Sequence, residues 1–161
     1  YQGVLYAGVM LTHEGPQELE FNARFGDPET QVILPRLRTD LLEVVVAITK
    51  GSLDKVDLDW TDDSCVGVVM ASGGYPGDYL TGLPITGLAD LDADVLAFHA
   101  GTKMTEASGR ETDELRTDGG RVLTLAALGA SLGEARERIY GNIQRIRFQG
   151  NYYRRDIADV R

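Results

Sequence analysis

The stretch Leu19-Glu20-Phe21-Asn22-Ala23-Arg24-Phe25 runs on into Gly26-Asp27-Pro28-Glu29-Thr30-Gln31 and alternates apolar with polar residues from Glu18 onward. A period of two over this length predicts a β-strand. Leu19, Phe21, Ala23 and Phe25 would face a core, and Glu18, Glu20, Asn22 and Arg24 would face the other way. The polar face sets a carboxylate, an amide and a guanidinium in a row, about 7 Å apart at each step. Glu20 and Asn22 offer oxygen ligands suited to a hard cation such as Mg²⁺. Arg24 offers a planar fork for phosphate or carboxylate. Spacing alone leaves two readings open: a solvated hairpin strand, or a face that holds a metal and the anion it neutralises.

Upstream, Gly3 to Thr12 is apolar and predicts a strand buried on both faces; His13-Glu14-Gly15-Pro16 is the turn that makes a hairpin with the next strand. Downstream, Gly26 permits a bend, Pro28 suits the first turn of a helix, and Asp27 is placed to cap it. Asp40 with Glu43, and Lys50 with Gly51, mark the two ends of a segment over 41–50. Its three valines favour a strand, but length and caps favour a buried helix. Residues 52–63 are acidic, carry Trp60 and connect to a second unit.

That unit opens with a strand, Cys65 to Ala71, followed by the loop Ser72-Gly73-Gly74-Tyr75-Pro76-Gly77. Turn chemistry accounts for these glycines better than a phosphate cradle, since no Gly-Lys-Ser/Thr follows. Val95 to His99 is a strand, residues 103–118 form a hairpin tip or mobile loop, and Val122 to Leu128 is a strand again. Ser131 and Glu134 form a capping box. Leu132, Ala135, Ile139, Ile143 and Ile146 then give one apolar helical face, ended by Gly150. His99 reads as a hydrogen-bonded structural residue, and Cys65 as a small buried hydrophobe.

With 161 residues, 43% hydrophobic and 25% charged, the chain suits one domain, or part of a larger domain plus a small one. A single cysteine excludes an internal disulfide and fits a reducing cytoplasm. The longest apolar run, Val44 to Ile48, is too short to span a membrane. A net charge of −9 argues against nucleic acid and anionic membranes as partners. The late cluster of Arg136, Arg138, Arg145, Arg147, Arg154, Arg155 and Arg161 is either a solvated surface or a site for phosphate or carboxylate.

The thirteen residues from Leu19 to Gln31 closely resemble the metal-binding strand and following loop of the glycinamide ribonucleotide synthetase family, the phosphoribosylamine–glycine ligases of the ATP-grasp superfamily. Tyr6-Ala7-Gly8, Gly74-Tyr75-Pro76-Gly77, Phe98-His99-Ala100-Gly101-Thr102 and Tyr153-Arg154-Arg155-Asp156-Ile157 are similar to that family too. The resemblance covers essentially the whole chain but only the C-terminal part of the family's length. It implies an α+β architecture, with residues 1–60 as the C-terminal part of an ATP-grasp domain and 61–161 as a small mixed α/β C-terminal domain.

The implied reaction joins glycine to 5-phosphoribosylamine in purine biosynthesis, with ATP as substrate and Mg or Mn as cofactor. By resemblance, Glu20 and Asn22 match the metal ligands, Arg24 matches the catalytic arginine facing the phosphates of ATP and the acyl phosphate, and Asp27 and Glu29 lie beside the substrates. Capping is the competing role for Asp27. The strand ahead carries Ala7 and Gly8 where many ATP-grasp enzymes have a further acidic ligand. No ribosylamine-binding domain and no lid over ATP are recognisable, so the missing N-terminal part is the expected partner and the chain alone is expected to be inactive. The alternatives are another ATP-grasp carboxylate ligase or carboxylase, and a non-catalytic fragment. Biotin carboxylase-like enzymes have a Gln-Val-Glu-His pattern in place of Phe25-Gly26-Asp27-Pro28.

Overall fold

An apolar run and an alternating stretch, separated by His13-Glu14, pair as an antiparallel hairpin, β1 (Tyr6–Thr12) with β2 (Gly15–Asn22). The computed structural model describes residues 1–105 and 113–159. Near the turn Thr12 faces Gly15 and Leu11 faces Pro16. The ladder then shifts: Val9 faces Glu18 while Gly8 faces Glu20, which leaves Leu19 unmatched as a β-bulge. By register, Glu20 and Asn22 share a face with Gly8 and Tyr6, whereas Glu18 falls on the opposite face with Val9. The unbroken alternation expected from Glu18 to Arg24 is thus interrupted. The strand also stops at Asn22, so Ala23, Arg24 and Phe25 lie beyond it.

The burial expected of this hairpin is corrected. Leu11 is 84% exposed, Leu19 65% and Phe21 58%; within β1 only Gly8 is buried. The sheet has just these two strands, and an isolated hairpin brings no second layer to cover its apolar side.

After Gly26 the chain turns through Asp27-Pro28-Glu29 into a short helix, α1 (Thr30–Ile33), and a 3-10 turn over Leu34–Arg36. Glu29, not Asp27, is the residue at the cap of α1, and Pro28 precedes the helix instead of opening it. Helix α2 (Leu41–Lys50) begins where Asp40 accepts the Leu42 amide at 2.8 Å and ends on Gly51 in the left-handed region, φ 64°. Capping therefore outweighs the strand preference of its valines. The helix is not buried: Ala47 alone is, and Leu42, Val45 and Val46 are exposed. The acidic connection folds back on this unit, with Trp60 bridging Leu37 and the Asp59 carbonyl accepting the Arg38 amide.

Contacts divide the chain into two units, Tyr1–Thr61 and Asp62–Arg161. The second unit is built on three antiparallel strands in the order β3 (Ser64–Ala71), β7 (Arg121–Gly129), β4 (Val95–His99). Val66, Val68 and Met70 alternate inward along β3, while β7, in the centre, is buried along nearly its whole length. Helix α3 (Leu132–Ile143) lays Ala135, Ile139 and Ile143 into this core. Ser131 and Glu134 form the expected box: Ser131 Oγ accepts the Glu134 amide and Glu134 Oε2 accepts the Ala130 amide.

The helix ends at Ile143, earlier than the apolar spacing predicts, because Arg147 pairs with Thr86 as an isolated bridge and draws the chain out of helical geometry. Ile146 still reaches the core from the turn that follows. A second hairpin joins β5 (Thr102–Thr105) to β6 (Glu114–Thr117); the tip expected within 103–118 lies, over 106–112, outside the described residues. Mixed helices and antiparallel strands make the architecture α+β. No helix among the described residues is long and apolar enough to cross a membrane.

Candidate active site

The face of β2 that carries Glu20 and Asn22 is the chemically distinctive surface of the first unit. The two side chains stand two residues apart on one strand and touch, Asn22 Nδ2 donating to Glu20 Oε1 at 3.1 Å. Gly8 lies opposite, and a Cβ there would stand 3.2 Å from Glu20 Cγ. The bare glycine leaves Glu20 room to lie along the sheet. As a donor set, a carboxylate and an amide oxygen held in contact suit a hard divalent cation, with water or phosphate filling the remaining positions. Among the described residues no group of three His, Cys, Asp or Glu side chains gathers to hold a metal without such help.

Tyr6, paired with Asn22 across the ladder, stands on the same face. Its hydroxyl donates to Glu29 Oε1 at 3.4 Å, a long bond. Burial, then the charge of Glu29, push the Tyr6 phenol above its ordinary value, and Glu20 adds to the shift. Glu29 folds back over Gly26. A Cβ on Gly26 would fall 2.2 Å from Glu29 Oε2. Gly26 does not have a positive φ, so the glycine serves to admit this carboxylate and not, as expected, to bend the chain.

Arg24 and Asp27 are differently placed. Arg24 is exposed beyond the end of β2, and its Nη1 donates to the Phe25 carbonyl at 2.8 Å. Asp27 Oδ1 accepts from Gln31 Nε2 at 2.8 Å, which ties it to α1 without capping that helix. The fold thus gathers Glu20, Asn22, Tyr6 and Glu29, and leaves Arg24 and Asp27 on the neighbouring loop. Reading by sequence missed Tyr6 and the spatial role of Gly26. The signal was the hairpin register, which the bulge at Leu19 displaces.

Other candidates have structural explanations. His99 Nδ1 lies 2.9 Å from Thr102 Oγ1 at the end of β4. In the glycine-rich loop Ser72 Oγ donates to the Gly119 carbonyl, a Cβ on Gly73 would fall 2.6 Å from the Gly150 carbonyl oxygen, and one on Gly74 would fall 2.1 Å from that of Asp78. Close backbone packing therefore accounts for these glycines. Arg161 lies outside the described residues, and most of the remaining arginine cluster ties down the C-terminal tail or the sheet. Arg136 donates to the Ile157 and Arg155 carbonyls, Arg138 pairs with Asp94, Arg145 with Asp92, and Arg154 grips Asp156 with two bonds. Arg155 leans over the Tyr153 ring and lines an open hollow with Asn151 and Tyr152.

Comparison with known proteins adds to this geometry. The family described as phosphoribosylglycinamide synthetase, C domain, matches residues 65–160, and its ATP-grasp (A) domain matches residues 1–30. The chain is 51% identical over 158 residues to the phosphoribosylamine–glycine ligase of Caldanaerobacter subterraneus subsp. tengcongensis, covering 98% of this chain and 36% of that protein. It is 51% identical over 162 residues to the trifunctional purine biosynthetic protein adenosine-3 of Drosophila pseudoobscura pseudoobscura, covering 98% of this chain and 12% of that one. The crystal structure of phosphoribosylamine–glycine ligase from Thermotoga maritima superposes with a TM-score of 0.74 at 36% identity, over 95% of this chain and 36% of that chain. The chain spans about a third of the length of the ligases it matches.

Proposed function

Because the chain belongs to the phosphoribosylglycinamide synthetase family, we propose that it is part of an ATP-dependent ligase that joins glycine to 5-phosphoribosylamine through a glycyl phosphate, giving glycinamide ribonucleotide, ADP and phosphate. Residues 1–60 contribute the last part of the ATP-grasp domain, and residues 61–161 form the C-terminal domain. The observation that carries the reading is the contact of Glu20 with Asn22 on one strand face, 3.1 Å apart.

The chemical difficulty is the approach of one anion to another, the glycine carboxylate to the γ-phosphate of ATP. Glu20 and Asn22 would hold Mg²⁺ or Mn²⁺, which when bound neutralises phosphate charge. Arg24, on the loop just past the strand, can swing its planar fork away from the Phe25 carbonyl toward the transferring phosphoryl group. Asp27 and Glu29 flank the substrates from the turn that follows. No side-chain nucleophile is required, since the amine of ribosylamine displaces phosphate directly.

The missing N-terminal part of the enzyme supplies the rest of the site and covers the exposed apolar side of the hairpin, Leu11, Leu19 and Phe21. The 161 residues alone therefore lack ligase activity. In the full-length protein, Glu20→Ala and Asn22→Ala each raise the Mg²⁺ concentration needed for half-maximal turnover and lower kcat, with an unchanged circular dichroism spectrum. Metal titration of ADP release checks this, and wild-type metal dependence in both variants would remove the assignment.

A further inference from the structure

Two carboxylates, Glu20 and Glu29, border the same half-buried tyrosine, and neither has a cationic partner among the described residues. Two carboxylates without a cationic partner beside one phenol favour a bound cation. The proposed reaction brings two kinds of cation. A metal suits Glu20 with Asn22; the ammonium group of glycine is the second positive charge.

We propose that Tyr6 and Gly26 are positioning residues that hold the Glu29 carboxylate ready to bind the ammonium group of the amino-acid substrate, a role that rests on the ligase reading above. The Tyr6 hydroxyl donates to Oε1, and the missing side chain of Gly26 leaves the space that Oε2 occupies. The two restraints act on opposite oxygens of one group. Neither is needed for the fold of the hairpin: Tyr6→Phe keeps the ring, and an alanine at position 26 meets chiefly the far end of a flexible glutamate. The 3.4 Å bond lets the carboxylate tighten onto its ligand, as hydrogen bonds in unliganded sites commonly do. The glycine at position 26 and the tyrosine at position 6 thus have one explanation, although twenty residues separate them.

The test uses the full-length protein with Tyr6→Phe, Gly26→Ala, Glu29→Gln and the double variant Tyr6→Phe/Glu29→Gln. Tyr6→Phe and Gly26→Ala are each expected to raise KM for glycine about tenfold, the scale of one lost charge-assisted hydrogen bond. The KM for ATP should move less than about threefold, and Tm should hold. Glycine binding measured by calorimetry, with the enzyme saturated by a non-hydrolysable ATP analogue, should weaken by the same factor. The double variant should be no worse than Glu29→Gln alone, because Tyr6 acts through Glu29. Glycine KM and affinity within about twofold of wild type in Tyr6→Phe, or effects that multiply in the double variant, would overturn this inference and leave the ligase reading intact. A wild-type protein that releases no ADP in response to glycine would overturn the ligase reading, and this inference with it.

Discussion

Helices α2 and α3 start by the same device and end in different surroundings. Each has an oxygen side chain at its cap, Asp40 in one and Ser131 in the other. Helix α3 buries Ala135, Ile139, Asn142 and Ile143 against a three-stranded sheet. Helix α2 buries Ala47 alone, and the unit around it adds only Gly8, Gly26 and Thr61 to the buried residues. The second unit carries its own core; the first carries the candidate chemistry with almost none. A site on a weakly cored unit has few packing contacts of its own to fix it, and such regions lie at the low-stability end of a structure.

Core deletion should break this symmetry most. Ile139→Ala is expected to destabilise the second unit by about 2–5 kcal/mol. Leu11→Ala, on the exposed hairpin, should change stability by less than about 0.5 kcal/mol. Urea unfolding of the 161-residue chain measures both, and equal costs would mean that the hairpin is buried in solution.

Cap removal gives a smaller and sharper contrast. Ser131→Ala and Asp40→Ala each remove a bond of about 1 kcal/mol. In α3 that loss should lower the unfolding midpoint of the whole second unit. In α2 it should appear as faster amide exchange over 41–50, with the main transition unmoved. Hydrogen exchange followed by mass spectrometry separates the two outcomes.

The smallest effect is in acid. Bonds from Arg145 and Asn142 hold the Asp92 carboxyl below its usual value. A depressed folded pKa stabilises the second unit above the ordinary carboxylate value of about 3.9. That contribution is lost as pH falls through the folded pKa. Asp92→Asn should therefore lower Tm slightly on the neutral plateau and flatten part of the acid limb, the variant and the wild type converging once pH falls below the folded pKa. An unaltered acid limb would show that solvent screens the Asp92–Arg145 pair completely.

Local chemistry was legible in the sequence, and register was not. Asp40, Gly51, Ser131 and Glu134 act on neighbours within a turn, so their roles could be read directly. The pairing of Tyr6 could not. Counting outward from the turn sets Tyr6 opposite Phe21; the bulge at Leu19 moves it opposite Asn22 and onto the other face. Burial of the hairpin was misjudged because an apolar face states only that a covering layer is needed, not that the same chain brings one. The Glu20–Asn22 contact could be anticipated, since a step of two keeps both on one face even after the bulge. Arg24 could not, since where a strand ends is set by pairing and not by alternation.

The place of β7 in the sheet has a consequence for how the protein is made. β7 is the middle strand, yet it leaves the ribosome after both of its neighbours. β3 ends at Ala71 and must wait until β7 begins at Arg121. At typical rates of translation the delay is roughly 3–10 s. During that time Cys65-Val66-Gly67-Val68-Val69-Met70 is an unpaired apolar strand with no charge and no proline. A newborn chain is therefore most open to chaperones, and to wrong partners, just before its central strand arrives.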